Sequence, residues 1–332
     1  MSYSNRLTEI LGIAVGHATD LRLGSGVTAI LFDGPAVAAV SVLGGAPAGR
    51  DLGMLDTDAM LERVDAIVLS GGSGFGLDAA GGVQAVLRAM GRGLLLGAVR
   101  VPLVPQAILF DLANGGDKDW GLHSPYRDLG HAAAGAARPG AFALGSVGAG
   151  TGATTATVKG GLGTASTLTP GGHVVAALAV VNAIGAPTIG AGPWFWAAPF
   201  EIGQEFGGLG WPARFTPDDL EMRTKGSSLP STTIGLVATD AILTKAQAKR
   251  LAIMAHDGLA RAVLPAHAPM DGDTIFAAAT GRVALGDPIR DLTALGHAAA
   301  QVFARAVARG AYEATALDVP GAQPAWRDRF GR

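Results

Sequence analysis

Short apolar runs separated by glycine-rich turns dominate this chain, and long amphipathic stretches are confined to four places. The runs predict strands at 26–32 (GVTAILF), 36–42, 65–70 (DAIVLS), 142–148, 153–159, 174–181 (VVAALAVV), 233–239 (TIGLVAT) and 274–280 (TIFAAAT). Apolar runs without polar alternation fit strands covered on both faces, as when a sheet lies between helices and a second sheet. Helices are predicted at 76–91, 126–137, 244–263 and 289–310. The third opens on Thr244 as N-cap and carries the stripe Leu251, Met254, Ala255, Leu259 and Ala262. The fourth repeats it with Leu295, Ala298, Val302, Phe303 and Ala306. Strands and helices in mixed order, with no linker between them, predict one layered α+β sandwich spanning 1–332. Residues 202–231 break the pattern. They are polar, contain Gly and Pro, and end in Lys225-Gly226-Ser227-Ser228-Leu229-Pro230-Ser231, which reads as an exposed loop running into a buried strand.

Composition narrows the function. Lys plus Arg (25) nearly balances Asp plus Glu (27), and no basic stripe is visible. That argues against nucleic acid or an anionic membrane as partner. The longest clean apolar run, Val174 to Val181, is a buried strand's length and far short of the ~20 residues of a membrane span. Cysteine is absent, which excludes a disulfide framework, a Cys-bound zinc and a cysteine nucleophile. With no signal pattern in Met1 to Ile10, a cytoplasmic protein is the expectation. Glycine, at 50 of 332 residues, is about twice its usual ~7% share. Such a chain suits close-packed layers, tight turns and backbone lining a site.

Several motifs compete for the chemistry. Gly71 to Gly82 (GGSGFGLDAAGG) follows a strand and opens a helix, so Gly74-x-Gly76-x-x-Ala79 matches a relaxed dinucleotide fingerprint. The confirming acid about 20 positions on is missing from Gly91 to Val104. A nucleotide-dependent oxidoreductase is therefore one alternative, and a non-catalytic binding protein another. The seven histidines (His17, His123, His131, His173, His256, His267 and His297) make no HxH or HxxxH pair and read as surface or structural, so no metal site is expected. Ser231-Thr232-Thr233 sits where the loop meets a strand. If the peptide bond before such a hydroxyl is cut, the residue carries its own α-amine, whose pKa of about 8 lets it take the hydroxyl proton without a histidine. The same threonines also read as ordinary β-formers behind a turn. Asp271-Gly272-Asp273 places two acids on one face of an extended segment, to share a proton or orient a hydroxyl and an amine; a solvated turn or a weak calcium loop fits it too. Lys159 is either a strand end or the cation balancing that pair. Asn182, after VVAALAVV, is either an oxyanion donor or a turn former.

An ordered set of blocks carries a resemblance: VGH (15–17), SGVTAIL (25–31), AIVLSGGSGFGLDAAGGV (66–83), VPQAILFDL (104–112), GSVGAGTGA (145–153), VKGGLGTAS (158–166), VVNAIGAP (180–187), STTIGLVATDAIL (231–243) and MDGDTIFAAATG (270–281). Together they resemble the P1 peptidase family (S58), which holds the L-aminopeptidase/D-esterase, the β-aminopeptidases and the 6-aminohexanoate-oligomer hydrolase. The resemblance implies a four-layer αββα sandwich of the N-terminal-nucleophile-hydrolase kind. It implies a precursor that cuts itself between Ser231 and Thr232, giving chains 1–231 and 232–332. Thr232 is then the nucleophile, Asn182 the oxyanion donor, and Lys159, Asp271 and Asp273 the groups that fix hydroxyl and amine. Gly72, Ser73, Gly74, Phe75 and Phe110 would line the pocket. Substrates would be short peptides or amino-acyl amides, including β-amino or 6-aminohexanoyl units, with no cofactor. Relatives are oligomers, so a homo-oligomer of four or more copies is expected. Two departures stand out: Ser231 lies where relatives often carry Asn or Gly, and Phe110 where the nylon-oligomer branch can carry Tyr.

Overall fold

The computed structural model describes residues 5–225 and 230–331. Its strands are β1 (Ile13–Asp20), β2 (Ser25–Val42), β3 (Gly49–Arg50), β4 (Arg63–Ser70), β5 (Leu94–Leu96), β6 (Val99–Val101), β7 (Gln106–Ile108), β8 (Leu162–Leu168), β9 (Val174–Asn182), β10 (Thr232–Ala241) and β11 (Thr274–Val283). The helices are α1 (Ser73–Gly76), α2 (Ala79–Ala89), α3 (Tyr126–Ala136), α4 (Lys245–Ala260), α5 (Pro288–Tyr312) and α6 (Trp326–Phe330). The ladder runs β3-β7-β4-β2-β11-β10-β9-β8, with β1 on the side of β2.

Alternation along β2 shows how one ladder becomes two stacked sheets. In its first half Val27, Ala29 and Leu31 pack with Val83, Leu87 and Ala133 of α2 and α3, while Ile30 and Phe32 point inward. Beyond the exposed Asp33-Gly34-Pro35 the inward set becomes Ala36, Ala38 and Val40, and Val37 and Ala39 join the cluster of α4 and α5. β9 behaves alike, with Ala176, Leu178 and Val180 inward and Val175, Ala177, Ala179 and Val181 toward α4 and α5. Three buried clusters therefore separate four layers, helix–sheet–sheet–helix, and the expected αββα sandwich is the observed one. Among the described residues no helix is long and apolar enough to cross a membrane.

Glycine makes the layers close. A Cβ at Gly258 of α4 would lie 2.1 Å from the Ala300 carbonyl of α5, and one at Gly163 of β8 would lie 2.0 Å from the Ala306 carbonyl. Gly135, near the end of α3, faces open space instead. Gly135→Ala is expected to raise stability by about 0.5 kcal/mol, read as a small rise in Tm, because only the helix-propensity gain acts there.

Predicted elements 26–32 and 36–42 are one strand, and the two threonine-led runs at 233–239 and 274–280 are β10 and β11. The segments 142–148 and 153–159 are not strands. Gly145 (φ +80°) and Gly148 (φ +52°) are left-handed, and residues 148–150 form a 3₁₀ turn. Residues 150–160 curl so that three carbonyls face the Lys159 ammonium, and carbonyls turned inward cannot join a ladder. β1 and β8 lie outside the predicted runs because His17, Thr164 and Ser166 interrupt their apolar pattern. The loop 202–231 is less exposed than expected: Phe206 is buried in the α4/α5 cluster. Its residues 226–229, like 1–4 and 332, lie outside the described residues.

Candidate active site

The site forms where β9 ends, β10 begins and residues 268–273 approach β11. Thr232 is the first residue of β10 and pairs in antiparallel register with Asn182, the last of β9. One residue earlier, Ser231 bridges Asp271 in parallel. The Ser231 N–H donates to the Met270 carbonyl (3.1 Å), and the Gly272 N–H donates to the Ser231 carbonyl (2.8 Å). The Thr232 hydroxyl donates to that same Ser231 carbonyl. One peptide carbonyl, immediately before a buried threonine, thus carries two donors.

The acids flank Gly272 as the spacing predicted, but they hold other groups than expected. Asp271 is buried and accepts long bonds from the Ile184 N–H (3.4 Å) and the Ala268 N–H (3.3 Å). Burial, and then the charge of Asp273, push its carboxyl up to about 7. Asp273 accepts from the Thr233 N–H (2.8 Å), the His267 N–H (3.0 Å) and His267 Nδ1 (2.8 Å). The Thr232 hydroxyl is given to Ser231 rather than to either carboxylate. His267, read as a surface or structural histidine, is a direct partner of one member of the acid pair, Asp273.

Asn182 is spanned by three neighbours. Its Oδ1 accepts from the Thr154 N–H (3.0 Å) and from Lys225 Nζ (3.0 Å), and its Nδ2 donates to the Phe110 carbonyl (3.0 Å). Lys225 also donates to Thr154 O (2.9 Å), Thr154 Oγ1 (3.2 Å) and Asn182 O (2.9 Å). Burial draws its pKa down to about 7, against the pull of Asp271 and with the push of Lys159. Lys159 itself does not balance the Asp pair. Its ammonium is enclosed by the carbonyls of Gly150 (3.2 Å), Ala153 (2.7 Å) and Gly160 (2.9 Å). Burial lowers its pKa to about 7, and the acid acting on it is Asp111. Asp111 is buried, accepts from Ser25 Oγ (2.6 Å) and the Gly72 N–H (2.8 Å), and is raised above the usual carboxylate range by that burial.

The predicted pocket residues separate. Phe110 lines a cleft of about 480 Å³ with Thr154, Lys225 and Pro230. Phe75 meets Trp120 edge-on at 5.3 Å and lines a different cleft of about 790 Å³ with Lys118 and His123. Gly72 is joined to the first region through Asp111, which lines that cleft. The glycine turn is no phosphate cradle. The Gly72 N–H is spent on Asp111, the Ser73 N–H on Leu109 O (2.9 Å) and the Phe75 and Gly76 N–H groups on Gly72 O, so these four donors are already engaged and cannot converge on a phosphate. β4 moreover pairs antiparallel with β2 and meets β7 in parallel over three residues, which is not a doubly wound sheet.

Lys225, Gly272 and His267 are the neighbours that sequence reasoning missed. Lys225 stood in plain sight in the segment before the junction, where polar composition argued for solvent. Gly272 acts through its backbone N–H, which no side-chain pattern marks. Nothing local marks His267, because its partner is brought to it by the turn at 268–271.

The profile of peptidase family S58 matches residues 5–323. An uncharacterized aminopeptidase of Mycobacterium tuberculosis is 40% identical over 98% of both chains. A 6-aminohexanoate-oligomer endohydrolase of Paenarthrobacter ureafaciens is 27% identical over 89% of this chain and 83% of its own. Among solved structures, the L-aminopeptidase D-Ala-esterase/amidase of Ochrobactrum anthropi, described as a variant of the Ntn-hydrolase fold, superposes with a TM-score of 0.67 at 20% identity, covering 98% of this chain and 89% of its own.

Proposed function

The chain belongs to peptidase family S58 and is an amide-bond hydrolase, and from that premise we propose that Thr232 is its nucleophile, released by self-cleavage of the Ser231–Thr232 bond. The observation that carries this reading is the doubly engaged Ser231 carbonyl, with the Thr232 hydroxyl on one side and the Gly272 N–H on the other. Attack of Thr232 Oγ on the Ser231 carbonyl carbon forms an ester as the C–N bond breaks, and the hydroxyl proton passes to the leaving nitrogen. Negative charge on the carbonyl oxygen meets the Gly272 N–H. Water then opens the ester, leaving a carboxylate on Ser231 and a free α-amine on Thr232.

In the processed enzyme that amine takes the Thr232 hydroxyl proton, and Oγ attacks the carbonyl of an incoming amide. Asn182 Nδ2 stabilises the oxyanion, the amine portion leaves, and water hydrolyses the acyl-enzyme. Asp273 holds the start of β10 through the Thr233 N–H and is itself held by His267, while Asp271 tunes the charge beside it. Lys159 acts at one remove, by closing the 150–160 turn that carries Thr154 onto Asn182. The substrates are short peptides or amino-acyl amides, with 6-aminohexanoyl units included on the likeness to the Paenarthrobacter enzyme and β-amino units on the family resemblance.

Intact-mass measurement on active enzyme tests this directly. Two fragments are expected, residues 1–231 and 232–332, the second beginning Thr-Thr-Ile-Gly-Leu. Full activity from an unbroken chain would overturn the reading. A panel of amino-acyl anilides and 6-aminohexanoate oligomers then ranks the acyl groups.

A further inference from the structure

We propose that Lys225, from the segment that precedes the scissile bond, is the positioning residue that fixes the Asn182 carboxamide as a donor. This rests on the reading of Thr232 and Asn182 given above. An asparagine amide turned by half a revolution exchanges a donor for an acceptor, so an oxyanion role needs something that forbids the wrong orientation. Oδ1 of Asn182 faces Thr154 N–H and the Lys225 ammonium, which can only donate. Nδ2 faces the Phe110 carbonyl, which can only accept. The flipped amide would set its NH₂ against an ammonium and an N–H, and its oxygen against a carbonyl. One Nδ2 hydrogen goes to Phe110, and the other is the one to give to a reacting carbonyl. A cation on the amide oxygen also polarises the group and strengthens its N–H as donor.

The position of Lys225 is built into the fold. Its backbone N–H donates to Ile184 O (3.1 Å), two residues beyond Asn182, and its ammonium binds both Asn182 O and Oδ1 as well as both oxygens of Thr154. Lys159 is excluded from this task because its ammonium is already enclosed by three carbonyls. Lys225 lies upstream of the cut, so the 1–231 fragment contributes to the site after cleavage and has to stay bound to the 232–332 fragment.

The test is a double-mutant cycle on the processed enzyme with one amino-acyl anilide. Lys225→Met is expected to lower kcat by about 10²-fold, the order of losing an oxyanion donor, with KM changed less than about threefold. Lys225→Arg, which keeps a donor cation, is expected to recover most of the loss. Asn182→Ala is expected to be slow, and adding Lys225→Met to it to cost nothing more, since the two act as one unit. The proposal is overturned if Lys225→Met turns over within about threefold of the parent, or if its loss multiplies that of Asn182→Ala. Should Lys225→Met misfold, Lys225→Gln takes its place in the cycle, and thermal melts report folding for each variant. Failure of the underlying reading is distinct: Asn182→Ala would then itself run at the parental rate, whereas failure of the Lys225 role leaves Asn182→Ala slow and Lys225→Met fast.

Discussion

Thr232→Ala is expected to yield a single unbroken chain of 332 residues and to lower amide hydrolysis by at least about 10⁴-fold, the scale of removing a nucleophile that works as a unit with its base. Both losses have one origin. In the uncleaved chain the hydroxyl is buried and donates to the Ser231 carbonyl, so it faces the bond it is proposed to cut. On the proposed mechanism, scission is what frees the oxygen and supplies the amine. Thr232→Ser keeps both parts and is expected to process itself and to hydrolyse substrate. The neighbouring hydroxyl gives the control. Thr233 Oγ1 is buried without a hydrogen-bond partner among the described residues, so Thr233→Val removes an unsatisfied group at nearly constant volume. That variant is expected to fold at least as well as the parent, to cleave before Thr232 and to keep its activity. Cleavage and activity surviving in Thr232→Ala, read by intact mass and anilide turnover, would move the nucleophile elsewhere.

The layers were legible in the sequence because both-face burial leaves a plain mark. Val174 to Val181 and Thr233 to Thr239 carry no polar alternation, and they are the two central strands that position Asn182 and Thr232. Helices α4 and α5 were legible through their stripes, and Thr244 caps α4 by accepting from the Gln247 N–H. The stretch 142–159 misled because Gly, Ala and Thr suit a strand and a buried coil equally, and only left-handed glycines decide between them. The site divides along a similar line. Thr232, Asp271, Asp273 and Asn182 meet because strand pairing sets one residue opposite another, and pairing follows from the runs themselves. Lys159 and Lys225 could not be told apart that way. Which ammonium reaches Asn182 depends on how two irregular segments fold back, and irregular segments have no period to read.

Gly272→Ala tests the site from its backbone side, and it is expected to slow both self-cleavage and turnover by about 10²-fold in a protein that still folds. A Cβ at Gly272 would stand 2.7 Å from Thr232 Oγ1, 3.2 Å from Thr232 Cγ2 and 3.0 Å from Ala46 O. The first of these is closer than a real Cβ contact, and the atom with most freedom to yield is the Thr232 hydroxyl, the proposed nucleophile. Gly272 is not left-handed, so alanine fits its backbone, and the variant keeps the N–H that donates to Ser231. The expected defect is therefore displacement of the nucleophile, with a Tm within a few degrees of the parent. Gly44 marks the contrast. A Cβ there would lie 2.3 Å from the Asp273 nitrogen and 2.5 Å from the Asp271 carbonyl, both backbone atoms, so Gly44→Ala is expected to lose stability before it loses chemistry. Displacement also predicts a suppressor. Thr232→Ser deletes Cγ2 and lets the hydroxyl rotate, so Thr232→Ser in the Gly272→Ala background is expected to process faster than Gly272→Ala alone. Parental cleavage rates in Gly272→Ala, or a double variant slower than the single one, would show that Gly272 does not crowd the attacking oxygen.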